Sequence, residues 1–159
     1  MVPFRLTQPQ FAERYRRSLD RASPTAIATL RAHFALPIQD GVLGAEVKIF
    51  VSDEEEPDPP AVWIDYLGKD NKVDAADPTL HAGRSLELAL GFQACEQFDR
   101  RFTTDEKFGG IHLMANALKA WFAECWWKAG GWTYPVPVTL QVHDGFGDGK
   151  PVTLTEKPG

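Results

Sequence analysis

Between residues 7 and 21, small or apolar side chains recur at helical spacing at Phe11, Tyr15, Ser18 and Leu19. That period and a capping box, Thr7 followed three residues later by Gln10, predict an amphipathic helix over 8–21. "SPTAIATLRAHFA" repeats the start signal, with Ser23 as N-cap and Pro24 at the first helical position, where a missing N–H costs nothing. A second helix to about Phe34 is expected, and the two would form an N-terminal helical hairpin that needs a further layer to cover its apolar faces.

The pattern then changes to alternation. Val47, Ile49 and Val51 alternate with Glu46 and Lys48, and "AVWIDYLG" is rich in β-formers, so residues 35–80 read as two strands joined by an acidic loop at 53–60. Residues 85–94 carry both periods. The strict alternation of Leu86, Leu88, Leu90 and Phe92, with Gly91 inside it, favours strand.

The most regular stripe runs through Ile111, Met114, Ala115, Leu118, Phe122, Cys125, Trp126 and Ala129 and ends at Gly130 and Gly131, predicting a long core helix over 105–130. Its reverse side is also apolar at Leu113, Ala120 and Trp127, leaving His112, Asn116 and Lys119 as a narrow polar strip expected to face water. Val136, Val138, Leu140 and Val142 alternate in a strand that Pro135 and Pro137 place at a sheet border, and Val152–Glu156 close the chain as a last strand. The order ααβββαββ is that of an α+β fold: one domain over 1–159, with a mainly antiparallel sheet of about five strands, the helical hairpin and one long Trp-rich helix.

Charge adds a feature that hydropathy does not show. Residues 1–34 hold six arginines against Glu13 and Asp20, whereas residues 35–80 hold three lysines against eleven acids. Asp53, Glu54, Glu55, Glu56 and Asp58 account for the whole net charge of −5. A neutral body with one acidic loop argues against nucleic acid, which needs clustered Lys or Arg. The N-terminal stretch lacks a signal-peptide h-region and no run is long and apolar enough to span a bilayer. Cys95 and Cys125 are too few for a disulfide framework or zinc cluster. Reduced, buried thiols in a cytoplasmic protein without a cofactor are expected.

"VHDGFGDGK", residues 142–150, has the composition of phosphate and calcium loops. Against a P-loop, Asp144 replaces the first glycine and Pro151 the magnesium-binding hydroxyl. Against an EF-hand, Phe146 takes the third ligand position and Thr155 the place of the bidentate glutamate. A hairpin fits better, with Asp-Gly pairs at 144–145 and 148–149 supplying positive φ. His143, Asp144 and Asp148, joined by His112, remain as a candidate divalent-ion or acid/base site for a small metal-assisted hydrolase. His33 and His81 read as structural or solvated, and Glu96 with Asp99 or Glu87 as chance carboxylate pairs.

Five tryptophans, three of them crowding the long helix and one following it, read as core with one exposed member, Trp127. Exposed tryptophan is a strong interface anchor. The function expected is a non-enzymatic protein-binding module whose acidic loop (Asp53, Glu54, Glu55, Glu56, Asp58) and Trp127 take a partner with a basic surface. Small acidic chains of this kind are similar in general character to the immunity proteins that neutralise bacterial toxins. A homodimer through the second apolar side of the long helix is a further alternative.

Overall fold

The computed structural model describes residues 1–38, 40–51, 59–68 and 85–156. Thr7 caps α1 (Gln8–Phe34): its hydroxyl accepts from Gln10 N at 3.3 Å while Gln10 Oε1 accepts from Thr7 N at 2.9 Å, so the capping box is formed. The helical hairpin is not. One 27-residue helix runs through Pro24. Its buried side, Phe11, Tyr15, Ser18, Leu19, Ala22, Ala26, Leu30 and His33, never loses phase, so breaking the helix at Ser23 would misalign half of it against the core. Pro24 falls on the exposed side, and the carbonyl it leaves without a partner belongs to Asp20, also exposed. Ser23 does not cap; its Oγ accepts from Trp121 Nε1 at 2.9 Å.

Five strands form one sheet: β1 (Val42–Phe50), β2 (Ala61–Gly68), β3 (Ser85–Glu87), β4 (Val138–Val142) and β5 (Val152–Thr153), in the order β3-β2-β1-β4-β5. All neighbours are antiparallel except β1 and β4, which run parallel. The fold is α+β with a mostly antiparallel sheet.

The alternation at 85–94 survives as burial but not as ladder. Leu88, Leu90 and Phe92 are buried, yet strand pairing ends at Glu87, with Leu88 N donating to Val62 O at 2.9 Å. The chain then leaves the sheet to lie on α1. Thr29 Oγ1 donates to Ala89 O at 2.8 Å, and Gly91, at φ +79°, lies so close to Thr25 that a Cβ would stand 2.9 Å from that residue's own. Pro135 and Pro137 do not mark a sheet border. β4 lies inside the sheet, and the prolines precede its first rung, where the Pro137 carbonyl accepts from Ala45 N at 2.9 Å.

After the short α2 (Arg101–Thr104) comes α3 (Gly110–Lys128), starting later than the stripe suggests because Asp105 accepts from Phe108 N at 3.1 Å and Gly109 turns at φ +67°. Helices α1 and α3 cover one face of the sheet. Val47, Ile49, Val62, Ile64, Val138 and Leu140 from the strands join Phe11, Leu19, Leu30, Leu118, Phe122 and Trp126 from the helices in one continuous core. Among the described residues no helix is long and apolar enough to cross a membrane.

Candidate functional site

The hairpin reading of residues 143–150 holds: β4 and β5 pair antiparallel on either side, with positive φ at Asp144, Gly145, Gly147 and Gly149. The segment does more than turn, because the polar strip of α3 binds it. His112, Asn116 and Lys119, spaced four and three apart, stand one above another on the helix. Gly147 N donates to His112 Nδ1 at 3.0 Å and Asp148 N to Asn116 Oδ1 at 2.9 Å. The largely buried Lys119 ammonium donates to Asp148 and, at 2.8 Å, to Lys150 O. His112 and Asn116 face water as expected and hold the loop at the surface, whereas Lys119 is buried beneath it. Gly147 is required there, since a Cβ would collide with the Asn116 amide.

His143 and Asp144 do converge, because Asp144 sits in the left-handed region (φ 63°, ψ 10°): His143 Nδ1 lies 3.0 Å from Asp144 Oδ2, and the Phe50 ring lies tilted by 31° with its centre 4.6 Å from that of the imidazole. The third member of the candidate triad is engaged elsewhere. Asp148 faces Lys119, whose hydrogen bond, followed by that from Lys150 N, holds its carboxyl below the usual range. Among the described residues no three His, Cys, Asp or Glu side chains come together in a way that could hold a metal ion. What remains is an imidazole–carboxylate pair at the mouth of a cleft of about 220 Å³ lined by Lys48, Lys119, Gln141, Phe146 and Lys150. The pair is 49% and 64% exposed, so water screens its attraction.

The Asp148 shift carries a pH dependence. A carboxyl depressed in the fold adds stability above its unfolded value of about 3.9, and that contribution is lost as pH falls through the folded value. The tether is thus expected to be intact at neutral pH and to release below about pH 4. The Lys150 amide resonance, which reports its 2.8 Å bond to Asp148 Oδ1, should titrate there in the wild type, and should sit at its released position at pH 7 in Lys119→Met.

Trp127 is not the exposed tryptophan. It is half-buried against the core, and its Nε1 donates to Leu154 O at 3.0 Å, just past β5. Trp121 and Trp126 are fully buried, and Trp132 is the exposed one, at 40%. His33 is buried, bonded to Tyr66 OH, which meets Tyr134 OH at 2.8 Å. Burial, then the Tyr134 bond, raises the Tyr66 hydroxyl far above its usual range. The suspected carboxylate pairs are separate arginine partners: Glu96 accepts from Arg14 at 3.1 and 3.2 Å, and Asp99 from Arg101 at 3.0 and 3.1 Å. Cys95 and Cys125 are free thiols that burial pushes up.

Asp53, Glu54, Glu55, Glu56 and Asp58, and likewise His81, lie outside the described residues. The two strands that the acidic segment joins are described, and their facing ends Phe50 and Ala61 are paired. Phe50 and Ala61 belong to the sheet face turned away from the helices. On β1 and β2 the buried residues Val47, Ile49, Val62 and Ile64 alternate with half-buried Glu46, Lys48, Phe50, Trp63 and Asp65. In register, Glu46 stands opposite Asp65, Lys48 opposite Trp63, and Trp63 opposite Glu87 of β3. Sequence reading missed this face. The signal was present in the alternate positions of two strands already assigned, which carry two aromatics among charges. No family model matches the chain, and no curated protein or solved structure shows significant similarity to it.

Proposed function

We propose that this protein is a non-enzymatic binding module of immunity or inhibitor type, which takes a basic protein partner through the acidic segment 53–58. The observation that carries the reading is the charge distribution: without those five acids the chain has 17 positive and 17 negative side chains, so all of the net −5 lies in one connection between two paired strand ends. A concentrated block of carboxylates steers and orients a cationic partner in a way that dispersed charge does not. Support also comes from the loop chemistry, since Asp148, Lys119, His112 and Asn116 are all spent on holding residues 143–150 to α3. The reading places the protein in the cytoplasm, where Cys95 and Cys125 would remain thiols, and without a nucleic-acid partner.

The test is affinity capture of the partner followed by titration against a Glu54→Gln, Glu55→Gln, Glu56→Gln variant. Affinity should fall about tenfold at low salt, with a shallower salt dependence and an unchanged melting curve. A partner that binds the variant with the wild-type affinity and salt slope would overturn the proposal.

A further inference from the structure

We infer that the half-buried face of β1, β2 and β3 turned away from the helices is the platform on which an arginine-rich segment of a basic partner docks, with Trp63 as the ring on which an arginine stacks. The inference rests on the reading of the protein as a binder of basic partners, and adds to it a surface and an anchor.

Three observations converge on this face. The first is continuity with the acidic segment: the rungs run from Glu46 and Asp65 through Lys48, Trp63 and Glu87 to Phe50 and Ala61, where the 51–60 connection begins and ends. The second is its charge. Among the described residues of these three strands, Glu46, Asp65 and Glu87 stand against one cation, Lys48, and that lysine is committed to Asp65 at 3.2 Å. Glu46 has no ion pair among the described residues, although it stands directly opposite another carboxylate. Like charges facing across an antiparallel pair destabilise a sheet. An external cation would relieve the conflict, which fits the rule that local inconsistencies gather where function needs them.

The third observation is the state of the Trp63 ring. It sits between Lys48 and Glu87 in register, and the lysine's ammonium is bonded to Asp65. Among the described residues the cation–ring contact is Arg101 over Phe4, well away from this face in the fold. Trp63 also stands apart from the partly buried aromatics that pack on the core, such as Trp127 and Phe98. A tryptophan with carboxylates around it is the arrangement that attracts a guanidinium: the ring's negative face takes the planar cation while Glu87, directly opposite on β3 at about 5 Å, and Glu46, diagonal to it on β1 at about 7–8 Å, accept its N–H groups. Lysine, a compact and strongly hydrated charge, uses such a site less well.

The experiment titrates isotope-labelled full-length protein with an oligo-arginine peptide and, in parallel, with an oligo-lysine peptide of equal length at low salt. The Trp63 indole N–H and the amides of Glu46, Asp65 and Glu87 are expected to shift with the arginine peptide, which should bind about threefold more tightly than the lysine peptide. Trp63→Leu should erase that preference and leave residual charge-driven binding, Trp63→Phe should keep part of it, and Trp132→Ala should leave it unchanged. Circular dichroism checks that each variant is folded; since Trp63 lies off the core, they should be. Glu87→Lys should weaken both peptides. If Trp63 stays still and the arginine preference persists in Trp63→Leu, while neutralising 53–58 abolishes binding, the platform is overturned and the acidic-segment reading survives. If binding is unaffected by neutralising 53–58 but follows Trp63, the segment reading fails and the platform stands. Failure of the wild type to bind either peptide overturns both. A dimer that forms through Trp63 without peptide overturns the platform in favour of a second copy of the chain.

Discussion

Gly110→Ala is expected to destabilise the protein by about 2–3 kcal/mol, the opposite of what alanine does in most helices. Gly110 opens α3 and is buried, and its Cα faces the backbone of Phe102. A methyl group there would stand 2.7 Å from the Phe102 carbonyl carbon and closer still to its oxygen. A flexible side chain could yield, but this obstacle is backbone, and it carries a fully buried ring. Phe102 packs on Phe11 at 4.6 Å, Phe4 at 5.0 Å, Phe108 at 5.4 Å and Phe98 at 5.9 Å, so displacing its carbonyl disturbs the cluster joining the N-terminal residues to α1 and α2. The helix-propensity gain of about 1 kcal/mol is too small to offset overpacking of that kind. Urea unfolding should show a lower midpoint with an unchanged slope. The neighbour Gly109 is a useful contrast. It has open space but φ +67°, so Gly109→Ala should cost only about 1 kcal/mol, through backbone strain. A neutral Gly110→Ala would mean that α2 and α3 do not approach as closely as described.

Pro24→Ala is expected to stabilise the protein by about 2 kcal/mol and raise the melting temperature by about 5 °C. Proline inside a helix costs about 3 kcal/mol, from the lost N–H bond and the clash with the carbonyl four residues earlier. Here that carbonyl belongs to Asp20. Alanine restores the donor, and because Pro24 is exposed it sacrifices no packing. Proline's restriction of the unfolded chain returns up to about 1 kcal/mol, so the gain is smaller than the full helix penalty. Thermal and urea unfolding measure it. A less stable Pro24→Ala would show that proline at this position is needed to bend α1 over the sheet.

The same position shows where local reading stops. Ser23-Pro24 is a sound helix start within a window of a few residues, and the competing signal is equally plain in the sequence: the stripe from Phe11 through Leu19, Ala22 and Ala26 to Leu30 keeps its phase across the proline. Which signal prevails depends on whether both halves bury the same side against the same partner. That partner includes α3, more than eighty residues away, held through Trp121 and Ser23. The site divides along similar lines. The turn chemistry of 143–150 was legible because φ preferences are local, as was the coming together of strands around the acidic segment. The use of His112, Asn116 and Lys119 as its anchors was not, because a polar strip looks the same whether it meets water or a loop.

Length, caps, periodicity and the charge map are properties of neighbours along the chain, and the sequence alone determined them: an α+β fold, a capped first helix, a long apolar helix, alternating strands and one acidic connection. The tertiary structure decided what each face meets. It joined two predicted helices into one, set β4 inside the sheet beside β1, buried His33 with two tyrosines, bonded Trp127 to Leu154 just past β5 and left Trp63 half-buried on the face turned away from the helices. The reason is that burial is a contest among surfaces distant in sequence, settled by how much apolar area each pairing removes from water, and no window of adjacent residues contains both contestants.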